Sequence, residues 1–149
     1  MMRPQETFLS LEVIWKDEHV LEVEFTASNA FFKGTTRAYD TSESLIDLAN
    51  KLVNFPNEEA SIFYQVGEKD SYSYCAIRFY PIGGGELVGA FTQLEECVST
   101  EDRKEEKSRL ALEIIVEPSA IDNFYKQLKT IAHKQEGIAL LVGRRYGLK

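Results

Sequence analysis

This chain of 149 residues is poor in the side chains that most often bind metals or form a nucleophile with its base, since it contains two cysteines and two histidines. Cys75 and Cys97 form neither a Cys-x-x-Cys pair nor a metal-binding spacing, so we expect reduced structural thiols and no metal site. His19 falls in a predicted turn. His133 falls near a predicted helix C-terminus, where a cation is favourable.

The chain also lacks the common catalytic and nucleotide-binding motifs. No serine lies in a Gly-x-Ser-x-Gly turn, and no glycine fingerprint follows a strand in the dinucleotide-binding manner. The segment PIGGGE at 81–86 has three glycines but no following Lys-Ser or Lys-Thr, which a phosphate-binding loop requires. We therefore expect no catalytic residues and no cofactor. A small enzyme built from unremarkable residues is the least favoured alternative.

Long apolar runs are missing too. None approaches the roughly 20 residues that a membrane helix needs, and the start MMRPQETF lacks the apolar segment of a signal peptide. We expect a cytoplasmic protein without a membrane contact.

The negative charge of the chain is concentrated in its first half. Residues 1–75 hold 13 acidic and 6 basic side chains, whereas residues 76–149 hold 11 of each, and the net charge is -7. This balance argues against nucleic-acid binding, which needs clustered lysine and arginine. It is compatible with a basic protein partner.

A composition of 44% hydrophobic and 28% charged residues is typical of a globular chain, which we interpret as a single α+β domain over 1–149. Residues 8–16 and 19–27 alternate with the period of two of half-buried strands, and a short turn joins them into a hairpin. The inward residues of this hairpin are predicted to be Leu9, Leu11, Val13, Trp15, Leu21, Val23, Phe25 and Ala27. The same register sets Glu12 opposite Glu24 on the outer side.

The clearest helix follows a third strand. Asp40 and Glu43 stand in the Asp-x-x-Glu form of a helix start, so a helix is predicted from about Thr41. It ends before Pro56, which cannot continue it. An apolar face recurs at three- and four-residue spacing in Leu45, Leu48, Ala49, Leu52 and Val53.

The second half repeats this layout. Residues 60–66 and 71–80 predict a second hairpin, residues 87–98 and 109–117 two more strands, and Pro118 the start of a second helix that ends near Gly137. The charged segment at about 99–109 is predicted to be a mobile loop. Ile138 to Val142 is either a final strand or a docked tail, and the basic segment 143–149 is predicted to be free. The order βββ-α-ββββ-α, with about seven mainly antiparallel strands, follows.

Two surfaces are candidates for partner binding. Glu12, Glu22 and Glu24 form an outer acidic strip, although Lys33 and Arg37 of the third strand can neutralise it. Tyr72, Tyr74, Arg78 and Tyr80 share one side of a later strand, and both residue types are enriched at binding hot spots. The alternative for the tyrosines is ordinary covering of a sheet face.

The region around the first helix resembles a known group. A strand with Phe32, Gly34, Thr36 and Tyr39, then a helix with Leu45, Leu48, Ala49 and Leu52 ending in Phe55-Pro56, is similar to small bacterial proteins grouped with toxin immunity proteins of the wall-associated-protein (WapI) type. The helix at Glu117-Pro118 with Phe124 and Leu128 is similar in placement. The resemblance implies a cytoplasmic protein that binds and blocks a toxin domain without chemistry of its own. A homodimeric assembly module, formed through a sheet edge or the tyrosine side, is the alternative.

Overall fold

The computed structural model of the protein describes residues 6–56, 61–69, 71–98 and 103–145. These residues form an α+β structure in the predicted order βββ-α-ββββ-α, with an eighth strand after the second helix. The strands are β1 (Thr7–Lys16), β2 (Leu21–Asn29), β3 (Lys33–Asp40), β4 (Ile62–Gly67), β5 (Ser73–Ile82), β6 (Leu87–Cys97), β7 (Lys107–Val116) and β8 (Gly137–Val142), and the helices are α1 (Ser42–Leu52) and α2 (Pro118–Lys134).

The strands form two four-stranded sheets, and every pairing is antiparallel. Sheet A has the order β3-β2-β1-β8, and sheet B has the order β4-β5-β6-β7. Sheet B joins only strands that are consecutive along the chain. In sheet A, by contrast, β8 returns across the rest of the structure to pair with β1.

The two sheets pack face to face over one buried cluster. Strand β3 crosses β4, β5 and β6, while β2 contacts β7. The approach is close at Gly34, where an added methyl group would lie 2.8 Å from Leu110 Cδ2. Rings of Phe25 and Tyr64 meet between the sheets with centroids 6.2 Å apart. Alternation of small and large inward side chains therefore sets the spacing of the layers.

Helix α1 begins where the sequence predicts, although the capping residue differs. Thr41 is the N-cap, and its Oγ1 accepts a hydrogen bond of 3.1 Å from the Ser44 amide. The Asp40 carboxylate instead accepts from the Tyr64 hydroxyl and from the Thr41 amide. Asp40 thus links the end of β3 to β4 of the other sheet.

Helix α2 starts at Pro118 and ends at Lys134, and the capping residue Gln135 takes the left-handed conformation. Its buried side chains are Ile121, Phe124, Leu128, Ile131 and Ala132, and the helix packs on α1 and β8. The Gln127 side chain accepts a hydrogen bond of 2.7 Å from the Leu140 amide, which satisfies a donor on the edge of β8. Neither helix in the described ranges has the length and apolar character needed to cross a membrane.

The first hairpin confirms the pairing of Glu12 with Glu24 but places Trp15 on the opposite side from the predicted one. Val13 pairs with Val23 and Trp15 pairs with Glu22, so Ile14 is an extra residue in a β-bulge. One extra residue shifts the alternation of the strand by one position. Trp15 therefore lies on the outer side of sheet A and is 48% exposed.

Two segments that the sequence predicted to be mobile or free are partly ordered, one by a strand and the other by backbone hydrogen bonds. Within the predicted loop at 99–109, Lys104–Glu106 forms a 3-10 turn and β7 begins at Lys107, while 99–102 lie outside the described residues. Within the predicted free tail, the Gly143 amide donates to the Thr7 carbonyl and the Arg144 amide to the Ile115 carbonyl. Residues 146–149 lie outside the described residues.

Candidate functional site

The outer side of sheet A brings carboxylates and aromatic rings into two neighbouring rows. Strand register aligns Trp15, Glu22 and Tyr39 in one row. It aligns Glu12, Glu24 and Arg37 in the next. We call these six residues the acidic face. Because strand backbones fix the spacing of side chains within a row, the arrangement is set before any partner arrives.

Trp15 and Tyr39 stand on either side of Glu22 with much of their surface in solvent. Trp15 is 48% exposed and Tyr39 is 60% exposed. Their ring centroids lie 6.3 Å apart with an interplanar angle of 81°, an edge-to-face contact. Tryptophan and tyrosine are the side chains most enriched at binding hot spots. Neither ring was among the predicted site residues. The outward position of Tyr39 follows from its alternation with Arg37 along β3. The outward position of Trp15 depends on the bulge, so alternation along the strand does not predict it.

One carboxylate of the acidic face is neutralised within the sheet. Arg37 Nε lies 2.9 Å from Glu24 Oε2, as the sequence predicted for this strand. Lys33 contacts the Phe8 ring instead, with Nζ 5.8 Å from the centroid. Among the described residues, Glu12 and Glu22 have no ion-pair partner. The acidic face therefore keeps negative charge beside its aromatic pair.

A groove of about 610 Å³ adjoins the acidic face beyond the edge of β3. It is lined by Glu22, Glu24, Thr35, Thr36, Arg37, Tyr72, Ser73, Glu96 and Val98. Glu96 Oε1 lies 2.9 Å from Thr36 Oγ1 and accepts a hydrogen bond of 3.3 Å from the Arg37 amide. A third carboxylate is thus fixed in the same groove.

The far wall of this groove carries two exposed side chains from sheet B. Tyr72 is 75% exposed and Val98 is 70% exposed. The Tyr72 carbonyl accepts a hydrogen bond of 2.8 Å from the Cys97 amide, which holds the Tyr72 backbone beside β6. Tyr72 therefore joins Glu22 and Glu24 and lies apart from the other tyrosines with which the sequence grouped it.

The remaining predicted residues lie on the outer side of sheet B. Tyr74 is only 6% exposed and pairs with Glu95 on the neighbouring strand β6. The Arg78 guanidinium lies over the Tyr80 ring, 4.7 Å from the centroid. These three residues belong to a surface separate from the acidic face.

The interior holds ionisable groups, but they sit in the packed layer between the sheets. Burial raises the pKa of the Cys75 thiol, and the Asp40 charge raises it further. Burial likewise raises the pKa of Tyr64, whose hydroxyl donates to Asp40. Cys75 has no exposed surface. Both groups stay protonated at neutral pH, and the hydrogen bond from Tyr64 to Asp40 links the two layers.

The histidines lie apart, and no metal cluster accompanies them in the described part of the chain. His19 sits in the turn between β1 and β2 beside Glu18, and His133 lies in the last turn of α2. Within residues 6–56, 61–69, 71–98 and 103–145, no group of three or more His, Cys, Asp or Glu is placed to hold a metal ion. Comparison with family models, with curated proteins and with solved structures finds no match.

Proposed function

We propose that this protein is a non-enzymatic binding protein that takes a basic protein partner at the acidic face and its adjoining groove. The exposed Trp15 and Tyr39 rings on either side of Glu22 support this proposal most directly. Large rings beside an unpaired carboxylate supply contact area and charge at one point, which is the composition of a binding hot spot.

A lysine or arginine side chain of a partner matches this arrangement. Its cationic head pairs with Glu22, and its stem and charge lie against the aromatic rings. Glu96 in the groove offers a second carboxylate at the edge of β3. Tyr72 on the far wall adds an exposed phenol. A basic protein surface of several cations can thus bind across the face and into the groove.

The form of this activity that the sequence resemblance favours is toxin immunity in the bacterial cytoplasm. Toxin domains that act on nucleic acid carry basic surfaces, because they must attract phosphates. An acidic inhibitor covers such a surface and gains association rate by electrostatic steering. The protein would block its toxin by occupancy alone.

The test uses purified basic domains encoded beside this gene, with binding measured across a salt series. Wild-type protein should bind one of them, and the affinity should fall as salt rises. Reversing Glu22 and Glu24 to lysine should slow association and remove most of the salt dependence. The matched control is Glu86→Lys with Asp122→Lys, which makes the same change in net charge on exposed residues outside the acidic face.

Two outcomes would count against the proposal. One is binding whose salt dependence is the same for the Glu22/Glu24 variant and its control. The other is the absence of binding to any neighbouring basic domain by wild-type protein whose circular dichroism shows a folded chain.

A further inference from the structure

The outer side of sheet B presents a patterned surface that the proposed function does not use. We call it the symmetric face, and its residues are Phe63, Ala76, Arg78, Tyr80, Gly89, Phe91, Gln93, Ala111, Glu113 and Ile115. Phe63 is 52% exposed and Ile115 is 37% exposed, and Arg78 and Ala111 are also exposed. Ala76 and Gly89 are buried, so the open apolar surface lies at Phe63, Ile115 and the half-buried Phe91. Exposed apolar side chains of this kind suit a sheet face to an interface.

The residues on β5 and β7 are complementary across the central strand β6. Arg78 and Glu113 lie on either side of Phe91. One row further, the small residues Ala76 and Ala111 lie on either side of Gln93. A positive side chain on β5 thus lies at the same level as a negative side chain on β7.

This pattern is what a two-fold axis parallel to β6 requires. Such an axis brings β5 of one copy against β7 of the next. Arg78 then faces Glu113 of the second copy, and Ala76, which is 2% exposed, faces the exposed Ala111 beside the axis, so neither side chain obstructs the contact. Phe91 and Gln93 meet their own counterparts on the axis. We propose that two copies of this chain pack through the symmetric face as a two-fold dimer.

The cationic residue of this pair, Arg78, is held in position for such a contact. An added methyl group at Gly89 would lie 2.6 Å from Tyr80 Cζ, so the Tyr80 ring lies directly over the glycine. The Arg78 guanidinium is in turn stacked on that ring. Among the described residues, neither Arg78 nor Glu113 has an ion-pair partner within the chain. Pre-ordered side chains lose little entropy on association.

Charge and area both permit the dimer. The outer side of sheet B carries three basic side chains (Arg78, Lys107, Arg109) and two acidic ones (Glu95, Glu113), although the chain as a whole has a net charge of -7. Glu95 would approach its counterpart near the axis, but it is 8% exposed and lies 3.7 Å from Arg109 Nε. The three strands that face each other, β5, β6 and β7, lie about 4.8 Å apart and are about ten residues long, so they span roughly 500 Å² per copy, which is at the lower end of specific interfaces.

The first experiment measures the mass of the full chain by sedimentation equilibrium over the micromolar range. We expect a dimer of the 17.0 kDa chain. Arg78→Glu should weaken dimerisation about tenfold or more, because it sets like charges opposite each other twice. Glu113→Arg should do the same, and the double variant should restore the dimer. Glu22→Lys with Glu24→Lys, on the other sheet, should leave it unchanged.

A second experiment does not depend on the stability of the charge variants. In a Cys97→Ser background, Gln93→Cys lies on the axis and should be joined to its counterpart by a short bismaleimide, because facing sheets lie about 10 Å apart, beyond the reach of a direct disulfide. Glu113→Cys alone lies off the axis and should not, whereas a mixture of Glu113→Cys and Arg78→Cys chains should cross-link to each other, because these two positions face each other across the axis. A wild-type monomer at every concentration, or cross-linking indifferent to position, would overturn the proposal.

Discussion

The outer sides of the two sheets have the same architecture but different distributions of charge. Each is the solvent side of four antiparallel strands whose other side is buried in the same core. On sheet A, carboxylates gather beside an exposed aromatic pair. On sheet B, charges of both signs are placed symmetrically about β6. The first pattern is the basis of the proposed basic partner, whereas the second is the basis of the proposed dimer.

This difference shows that the fold leaves the outer positions of a strand free to specify a partner. Inward positions are fixed by packing, because a cavity or an extra methylene in the core is costly. Outward positions carry this constraint only locally, as where the Tyr80 ring lies over Gly89. One chain can therefore hold two binding surfaces of unlike character, and variants on one side should leave the other intact.

Trp15→Ala should weaken binding of the basic partner at the outer side of sheet A and leave the outer side of sheet B unchanged. Loss of a hot-spot ring costs about 2 kcal/mol or more in affinity, about 30-fold in Kd, and most of it should appear as faster dissociation from the basic partner. Surface plasmon resonance measures both rates. Phe32→Ala is the matched control, because Phe32 is 67% exposed at the opposite end of sheet A. Equal losses for the two variants would remove Trp15 from the site.

Gly89→Ala should act only on sheet B. The new methyl group displaces the Tyr80 ring and the stacked Arg78, so the dimer should dissociate about tenfold more readily, with a loss of about 1–3 kcal/mol in stability. Gly34→Ala is the control, because its methyl group meets Leu110 between the sheets. The control should lower the free energy of unfolding without changing the dissociation constant of the dimer. Binding of the basic partner should stay the same in both.

Alkaline pH should test the core that the two outer sides share. The pKa values of Tyr64 and Cys75 are raised in the folded state above their ordinary values of 10.0 and 9.0. Above about pH 9 the unfolded chain therefore releases protons that the folded chain retains, and stability falls as pH rises. The contribution is fully present below pH 9 and is lost at up to about 1.4 kcal/mol per pH unit for each group.

Urea unfolding between neutral pH and pH 10.5 measures this loss. Cys75→Ala should reduce the fall in the free energy of unfolding from about pH 9 upward, and Tyr64→Phe should reduce it from about pH 10. Both variants lower stability at neutral pH, through a cavity and a lost hydrogen bond respectively. An unchanged slope in both would show that neither group resists ionisation in the folded protein.

Arg37→Ala should have the smallest effect on stability. Its ion pair with Glu24 is 61% exposed on the arginine side, and such pairs contribute about 0.2–1 kcal/mol. Loss of the cation should nevertheless speed association with a basic partner a few-fold at low salt, because the acidic face becomes more negative. Slower association would mean that Arg37 itself contacts the partner. Lys129→Ala, on α2, is the matched control for the loss of one positive charge.

Local signals in the sequence were sufficient for most of the elements. Alternation over 8–16 and 19–27 predicted β1 and β2, and Pro118 marked the start of α2. The pairing of Glu12 with Glu24 followed from the length of one turn. These features depend on residues close together in the chain, so strand periodicity and helix-start residues predict them without knowledge of the rest of the fold.

The candidate sites depended on features that a sequence period does not contain. A bulge at Ile14 reverses the side of Trp15, and nothing in the alternation of residues 8–16 reveals it. Tyr72 precedes β5 and lies in the groove of the other sheet, although its spacing groups it with Tyr74. The division of eight strands into two sheets is set by long-range packing. Which outward residues share a surface follows from that division.

The pairing of β1 with β8 also determines the order in which the two outer sides can be completed during synthesis. Every strand of sheet B has its neighbour next to it in the chain, so that sheet can form as its hairpins leave the ribosome. Sheet A must wait for β8, and until then β1 presents an open edge. Sheet A is therefore the later sheet to fold and the one more exposed to wrong pairing. A chaperone that protects this protein during synthesis should bind it before β8 emerges.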